Sequence, residues 1–242
     1  MRRLVVVGQQ AGGGDFGPGG PLPDITVRRT WNAQQIQRSM DAYDGAVAYV
    51  DDQLGRLLDN LKGQGLLDNT IVVVTSDHGE QFGEHGLFDH ANSLYRPLLH
   101  VPLVLSFPPR LPAGTRVRQP VSLVDLAATI LDLIPAAGGP TLPGQSLAPH
   151  WDPESASRIQ ERFLFAEVSK GINLPAWVPV SKGRMLSVVV DGMHYIRNGD
   201  GTEEFYDFDR DLAESENLAA RPDAQAKLAA ARKAVDAALK RQ

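Results

Sequence analysis

Between Ala33 and Lys62 the apolar residues fall at Ile36, Met40, Tyr43, Val47, Val50, Leu54, Leu57, Leu58 and Leu61. Steps near three and four put them in one stripe on the face of a long helix. Asn32, with Gln35 three positions on, predicts a reciprocal cap at its start, and Gly63 and Gly65 supply the stop. The period then changes. After a turn over Leu66 to Thr70 comes Ile71-Val72-Val73-Val74, a continuous β-branched run of the kind found in strands buried on both faces of a parallel sheet. A second buried strand is expected at Val101 to Leu105, ahead of a Pro-rich loop from Pro108 to Pro112. Leu123, Leu126, Ala127, Ile130, Leu131 and Ile134 then predict a helix that ends at Pro135 and Gly138-Gly139.

From about Pro153 the pattern turns antiparallel. Phe163 to Ala166 reads as a strand, and Leu186 to Val190 and Met193 to Arg197 flank Asp191-Gly192, a strong hairpin signal. A third strand is expected near Glu203 to Phe208, after the turn Asn198 to Gly201, and Pro222 opens an Ala-rich terminal helix. At the other end, Gly12 to Gly14 and Gly17 to Pro21 read as part of a flexible lead-in. They have neither the Lys-Ser/Thr ending of a phosphate loop nor the spacing of a dinucleotide turn.

Composition narrows the chemistry. The chain has 242 residues, long enough for a real core, and no cysteine, which removes disulfides, thiolate metal sites and cysteine nucleophiles. A formal net charge of -5, with Lys and Arg scattered, argues against nucleic acid or anionic membrane as a partner. The apolar runs are too short to span a bilayer. The opening Met1-Arg2-Arg3 followed by Leu4 to Val7 stops at Gly8, short of a signal core, so no export address is expected.

The chemistry concentrates after the first strand, in Asp77-His78-Gly79-Glu80-Gln81-Phe82-Gly83-Glu84-His85-Gly86-Leu87-Phe88-Asp89-His90. Ligand sites in open α/β sheets lie at carboxyl ends of strands, and carboxylate and imidazole are ligands for a divalent ion. Asp77 and His78 converge on one ion only if the chain turns at once, which Gly79 permits. A solvated acidic loop with incidental histidines accounts for the same residues equally well.

Asp44 through Asp51, Gly55 to Leu58, Leu66 to Gly79 and Gly83 to Gly86 carry a family resemblance. Ser93 to Tyr95, Val101 to Val104 and Val121 to Leu133 continue it, as do Glu204 to Phe208 with Glu216 to Ala219. These motifs, in order from about residue 36 to 220, resemble the C-terminal half of the sulfatase family in the alkaline phosphatase superfamily. The resemblance implies an α/β class, with part of an alkaline-phosphatase-like α/β/α sandwich and a small C-terminal antiparallel sheet and helix. The domains expected are the lead-in at 1–31, the C-terminal half of the catalytic domain at 32–152 and the antiparallel subdomain at 153–242.

The activity implied is hydrolysis of a sulfuric ester by a formylglycine nucleophile beside one divalent ion, usually calcium. The substrate would be a small sulfate ester or a sulfated glycan. Asp77 and His78 fall on metal-ligand positions, and His90 falls where many members carry a sulfate-contacting lysine. His85 is expected to fix the loop, and His100, His150 and His194 to be structural or exposed. Two further metal-binding aspartates and the Cys/Ser-x-Pro-x-Arg nucleophile motif belong upstream of Ala33 in the family, and this chain encodes no formylglycine precursor there. Ser106-Phe107-Pro108-Pro109-Arg110 matches the short motif but stands after a strand and is followed by Pro112 and Gly114, so it reads as a decoy. A missing N-terminal half is therefore expected. The alternatives are a phosphodiester or phosphonate ester hydrolase of the same superfamily, and a non-catalytic fragment that assembles with other chains.

Overall fold

The computed structural model describes residues 3–9, 30–134, 142–152, 154–155 and 163–240. The expected stop at Pro135 and Gly138-Gly139 and the glycine-rich stretch after Gln9 lie outside them. The elements run β1 (Arg3–Gln9), α1 (Ala33–Gly63), β2 (Thr70–Ser76), β3 (Gln81–Phe82), β4 (Phe88–Asp89), α2 (Arg96–Leu99) and β5 (Leu103–Ser106). They continue with α3 (Asp125–Leu133), β6 (Leu164–Val168), β7 (Met185–Val190), β8 (Met193–Arg197), β9 (Glu203–Asp207) and α4 (Gln225–Leu239).

Helix α1 starts as its sequence predicts. The Asn32 amide donates to Gln35 Oε1 and the Gln35 amide to Asn32 Oδ1, both over 2.9 Å. Gly65, at φ +66°, ends it in a left-handed turn. No α1 side chain is buried, and Met40, Val47 and Leu57 of the apolar stripe are exposed.

By its contacts the chain forms two interleaved units. The first holds 1–7, 54–75 and 103–164. Its sheet has the order β1-β2-β5. Here the structure corrects the parallel-sheet expectation, because β2 pairs antiparallel with β5, Val73 opposite Leu105. A continuous apolar run reports burial on both faces and carries no information about strand direction. Thr70 to Val73 are indeed buried, whereas β5 alternates and leaves Val104 58% exposed, so β5 is a one-faced strand. Its inner Leu103 and Leu105 join Ile71, Val73, Phe107 and Leu133 in the core of this unit. The apolar run at Leu4 to Val7, expected within a flexible lead-in, lies in strand β1 beside β2.

The second unit holds 8–53, 76–102 and 165–242. Short strands β3 and β4 pair antiparallel, Phe82 opposite Phe88. The early turns of α1 meet them through Tyr43 edge-on to Phe82 at 5.3 Å, and the adjoining Trp31 meets Phe88 at 4.7 Å. The C-terminal sheet has the order β6-β7-β8-β9. Asp191 at φ +50° and Gly192 at φ +69° make the β7–β8 hairpin turn that the sequence predicts. Helix α4 covers β7 and β8, with Leu228, Ala231 and Val235 fully buried. Leu87, Leu94 and Tyr95 from the chemical loop share one core with Val178, Val180, Met185, Ile196 and Tyr206.

Three tyrosines of this unit give their hydroxyls to carboxylates. Tyr95 and Tyr206 donate to Glu204 over 3.0 and 2.5 Å, and Tyr195 donates to Glu203 over 2.6 Å. Burial first, and the neighbouring carboxylate second, push all three phenols well above their ordinary value of 10.0. The folded state thus keeps protons that the unfolded chain releases from about pH 10 upward. The stability from these groups is complete below that pH and is lost as the pH rises above it. In a Tyr43→Phe/Tyr49→Phe background, tyrosinate absorbance should appear together with loss of far-ultraviolet dichroism. Tyrosinate formation with the dichroism intact would contradict this arrangement.

Candidate metal and substrate site

Strand β2 delivers the chain to Ser76, and the next three residues turn sharply. The Gly79 amide donates to Leu98 O over 2.9 Å. A Cβ at Gly79 would stand 1.9 Å from Pro97 O, so only glycine fits. Ser76 Oγ closes the turn by donating to His78 O over 2.6 Å. The expected bend at Gly79 is therefore real, and its cause is close backbone approach to α2.

The bend places Asp77 and His78 side by side. The His78 amide donates to Asp77 Oδ1 over 3.1 Å. Nδ1 of His78 lies 2.8 Å from Gly79 O. A carbonyl only accepts, so Nδ1 carries the proton and the neutral ring keeps its lone pair on Nε2. That atom is 3.8 Å from Asp77 Oδ2. Both atoms are acceptors open to a shared cation, and metal-bound histidines commonly tie their second nitrogen to a carbonyl in this way. The pair therefore fits a divalent ion as two of its ligands. Among the described residues no group of three or more His, Asp or Glu is gathered that could hold one.

His90 joins this pair. Its ring stacks on that of His78, centroids 4.3 Å apart and planes 28° from parallel. His90 Nδ1 lies 3.2 and 3.1 Å from the two oxygens of Glu80, whose side chain is 5% exposed. Asp89 at φ +64° and Ala91 at φ +59° flank it in left-handed backbone, which costs a non-glycine residue about 1 kcal/mol or more. Asn92 Nδ2 donates to Phe88 O over 2.8 Å across this turn. All three residues singled out in the sequence thus gather at one place: Asp77 with His78, and His78 with His90.

His85 is built in as expected of a loop-fixing residue. At φ +54°, it lies flat on Tyr95, centroids 3.6 Å apart, with Nε2 4.0 Å from Glu214 Oε2. His194 is fully buried between Ser187 and Glu214, and its Nδ1 bonds to Glu214. Burial first, and the Arg96 charge second, lower the pKa of His100. Ser106 is the exposed last residue of β5, and Arg110 gives its guanidinium to Asp132 O, in accord with the decoy reading of that motif.

Two residues escaped the sequence reading. Glu80 stood there as one acid among several; only its burial against His90 sets it apart. The acid that matters in the C-terminal motif is Glu214, where the sequence pointed to Glu216. Glu214 is 2% exposed and accepts the Arg96 amide over 2.8 Å, whereas Glu216 is a surface partner of Arg221.

Residues 17–136 match the family model described as Sulfatase, and residues 83–241 match the one described as N-sulphoglucosamine sulphohydrolase, C-terminal. The chain belongs to the sulfatase family. An N-acetylglucosamine-6-O-sulfatase of Bacteroides thetaiotaomicron is 38% identical over 120 residues, 50% of this chain and 21% of that protein. The solved structure of BT4656 with its substrate D-glucosamine-2-N,6-O-disulfate superposes with a TM-score of 0.70 at 27% identity, covering 86% of this chain and 41% of that one. A phosphonate monoester hydrolase of Agrobacterium radiobacter gives 0.74 at 25% identity, over 88% and 43% of the two chains. This sulfatase chain thus spans less than half the length of each. Its fold is the alkaline-phosphatase-like α/β class of those neighbours, with the small antiparallel sheet and helix at the C-terminus. No described helix is long and apolar enough to cross a membrane.

The tight turn gives a paired test. Gly79→Ala should lower the free energy of unfolding in urea by at least about 2 kcal/mol, because backbone must move. Gly55→Ala, on α1 with nothing within 4 Å of the new Cβ, should raise it by about 0.5–1 kcal/mol. Equal effects would contradict the close approach at Pro97.

Proposed function

We propose that this chain supplies the metal-binding portion of a sulfatase that hydrolyses sulfuric esters on amino sugars of a sulfated glycan. The observation that carries the proposal is the juxtaposition of Asp77, His78 and His90 directly after β2. The substrate class is taken from the glucosamine sulfates named for the Bacteroides enzyme and for BT4656. A sulfuric ester and water become an alcohol and sulfate, and negative charge grows on the sulfuryl oxygens and the departing oxygen as the S–O bond breaks.

In the proposed site Asp77 and His78 would hold one divalent ion, calcium as the resemblance implies. When bound, the ion supplies Lewis-acid polarisation of an ester oxygen. His90 has Nδ1 engaged by Glu80, which leaves Nε2 for the substrate. As imidazolium it donates from Nε2 to a sulfuryl oxygen, standing in for the lysine of other members. The stack on His78 sets that contact close to the ion-binding pair. The nucleophile belongs to the family motif outside these residues; the chain has no cysteine to mature into formylglycine.

The second reading is phosphonate ester hydrolysis, favoured by the 0.74 superposition on the Agrobacterium enzyme. The two separate on matched aryl sulfate and aryl phosphonate esters, assayed with the full-length enzyme and calcium. The proposal expects the larger kcat/KM on the sulfate, and a fall of about 10²-fold or more in Asp77→Ala. A larger kcat/KM on the phosphonate would transfer the assignment to the second reading.

A further inference from the structure

We infer that Glu80 is the positioning residue of the site, accepting from His90 Nδ1 and so holding the ring in one orientation that leaves Nε2 for its contact with the substrate. The inference rests on the proposed role of His90 and assigns the residue that makes that role possible. Glu80 is 5% exposed on its side chain, so its carboxylate has left water almost completely. A carboxylate so buried needs a donor, and the one ionic partner found for it among the described residues is His90. Both of its oxygens lie at hydrogen-bonding distance from the same nitrogen, Nδ1, at 3.2 and 3.1 Å. An ionised carboxylate can only accept, which makes Nδ1 the protonated nitrogen.

Two further features hold the ring in place. One face of the His90 ring is set against His78, whose own Nδ1 is fixed by Gly79 O. The backbone on both sides of His90 is left-handed at Asp89 and Ala91, a conformation that persists only where surrounding contacts enforce it. Glu80 follows the Gly79 bend directly, so the backbone that sets the Asp77–His78 pair also sets the carboxylate on which His90 turns. The two histidines are then anchored alike, each by Nδ1, each with Nε2 as the remaining nitrogen. Such outer partners of a site's histidines typically change activity by 10- to 100-fold when removed, about the size expected here.

The test uses the full-length enzyme with calcium bound and reads both spectra and rates. Proton NMR should show the His90 Nδ1–H as a hydrogen-bonded signal shifted downfield, and Glu80→Ala should remove it. Glu80→Ala should lower kcat on an aryl sulfate by about 10- to 100-fold with KM little changed, and should add nothing in a His90→Ala background. Glu80→Gln preserves the shape if the alanine variant does not fold. An amide oxygen still accepts from Nδ1–H but carries no charge, so that variant should show a weaker Nδ1–H signal and an intermediate kcat. An unchanged Nδ1–H signal in Glu80→Ala, or full additivity with His90→Ala, overturns the inference. Lowered kcat in His90→Ala beside an unaffected Glu80→Ala overturns it alone, whereas unchanged kcat in His90→Ala overturns the His90 reading with it.

Discussion

The Gly79 amide donates to Leu98 O across 2.9 Å, with the Pro97 carbonyl where a side chain would begin. This contact forces β2 to stop and the chain to fold back within three residues. Adjacent residues on a continuing strand would face opposite sides of the sheet. Because the strand ends, Asp77 and His78 share a side, and the Gly79 carbonyl is left in position to take His78 Nδ1. Backbone geometry thus builds the pair.

The far end of the same loop is anchored by a second polar centre. Glu214 accepts the Arg96 amide and meets buried His194, while the Arg96 guanidinium donates to Phe208 O and lies over the Phe208 ring at 4.3 Å. Nearby, Glu204 collects Tyr95, Tyr206 and Asn198. A carboxylate as deeply buried as Glu214 is tolerable only when its acceptor capacity is filled, and removing one partner of such a pair typically destabilises by about 3–5 kcal/mol. The C-terminal motif of the family is in this light a clamp on the loop.

Much of this could be read from the residues. Helix α1, its cap, the β2 run, the Asp191-Gly192 hairpin and the terminal helix all follow from local periodicity and turn chemistry, which act over a few residues. Asp77, His78 and His90 came from the ordered motifs, and the structure brings them together. The antiparallel pairing of β2 with β5 was not legible, since strand direction depends on partners distant in sequence. Nor was β1, whose short apolar run sits beside a glycine-rich stretch that suggests a lead-in. Arg96 is built into the clamp through Phe208 and Glu214. Glu80 and Glu214 share a reason for being missed: an acid's importance lies in what buries it, and burial is a tertiary property that charge patterning cannot report.

Calcium titration of this chain by calorimetry, wild type against Asp77→Ala, tests the central claim that the turn after β2 forms part of a metal site. Two of the usual ligands predict weak binding, with Kd on the order of 10⁻⁴–10⁻³ M or weaker. That binding should disappear in Asp77→Ala. Calcium binding of the same strength in wild type and Asp77→Ala would contradict it.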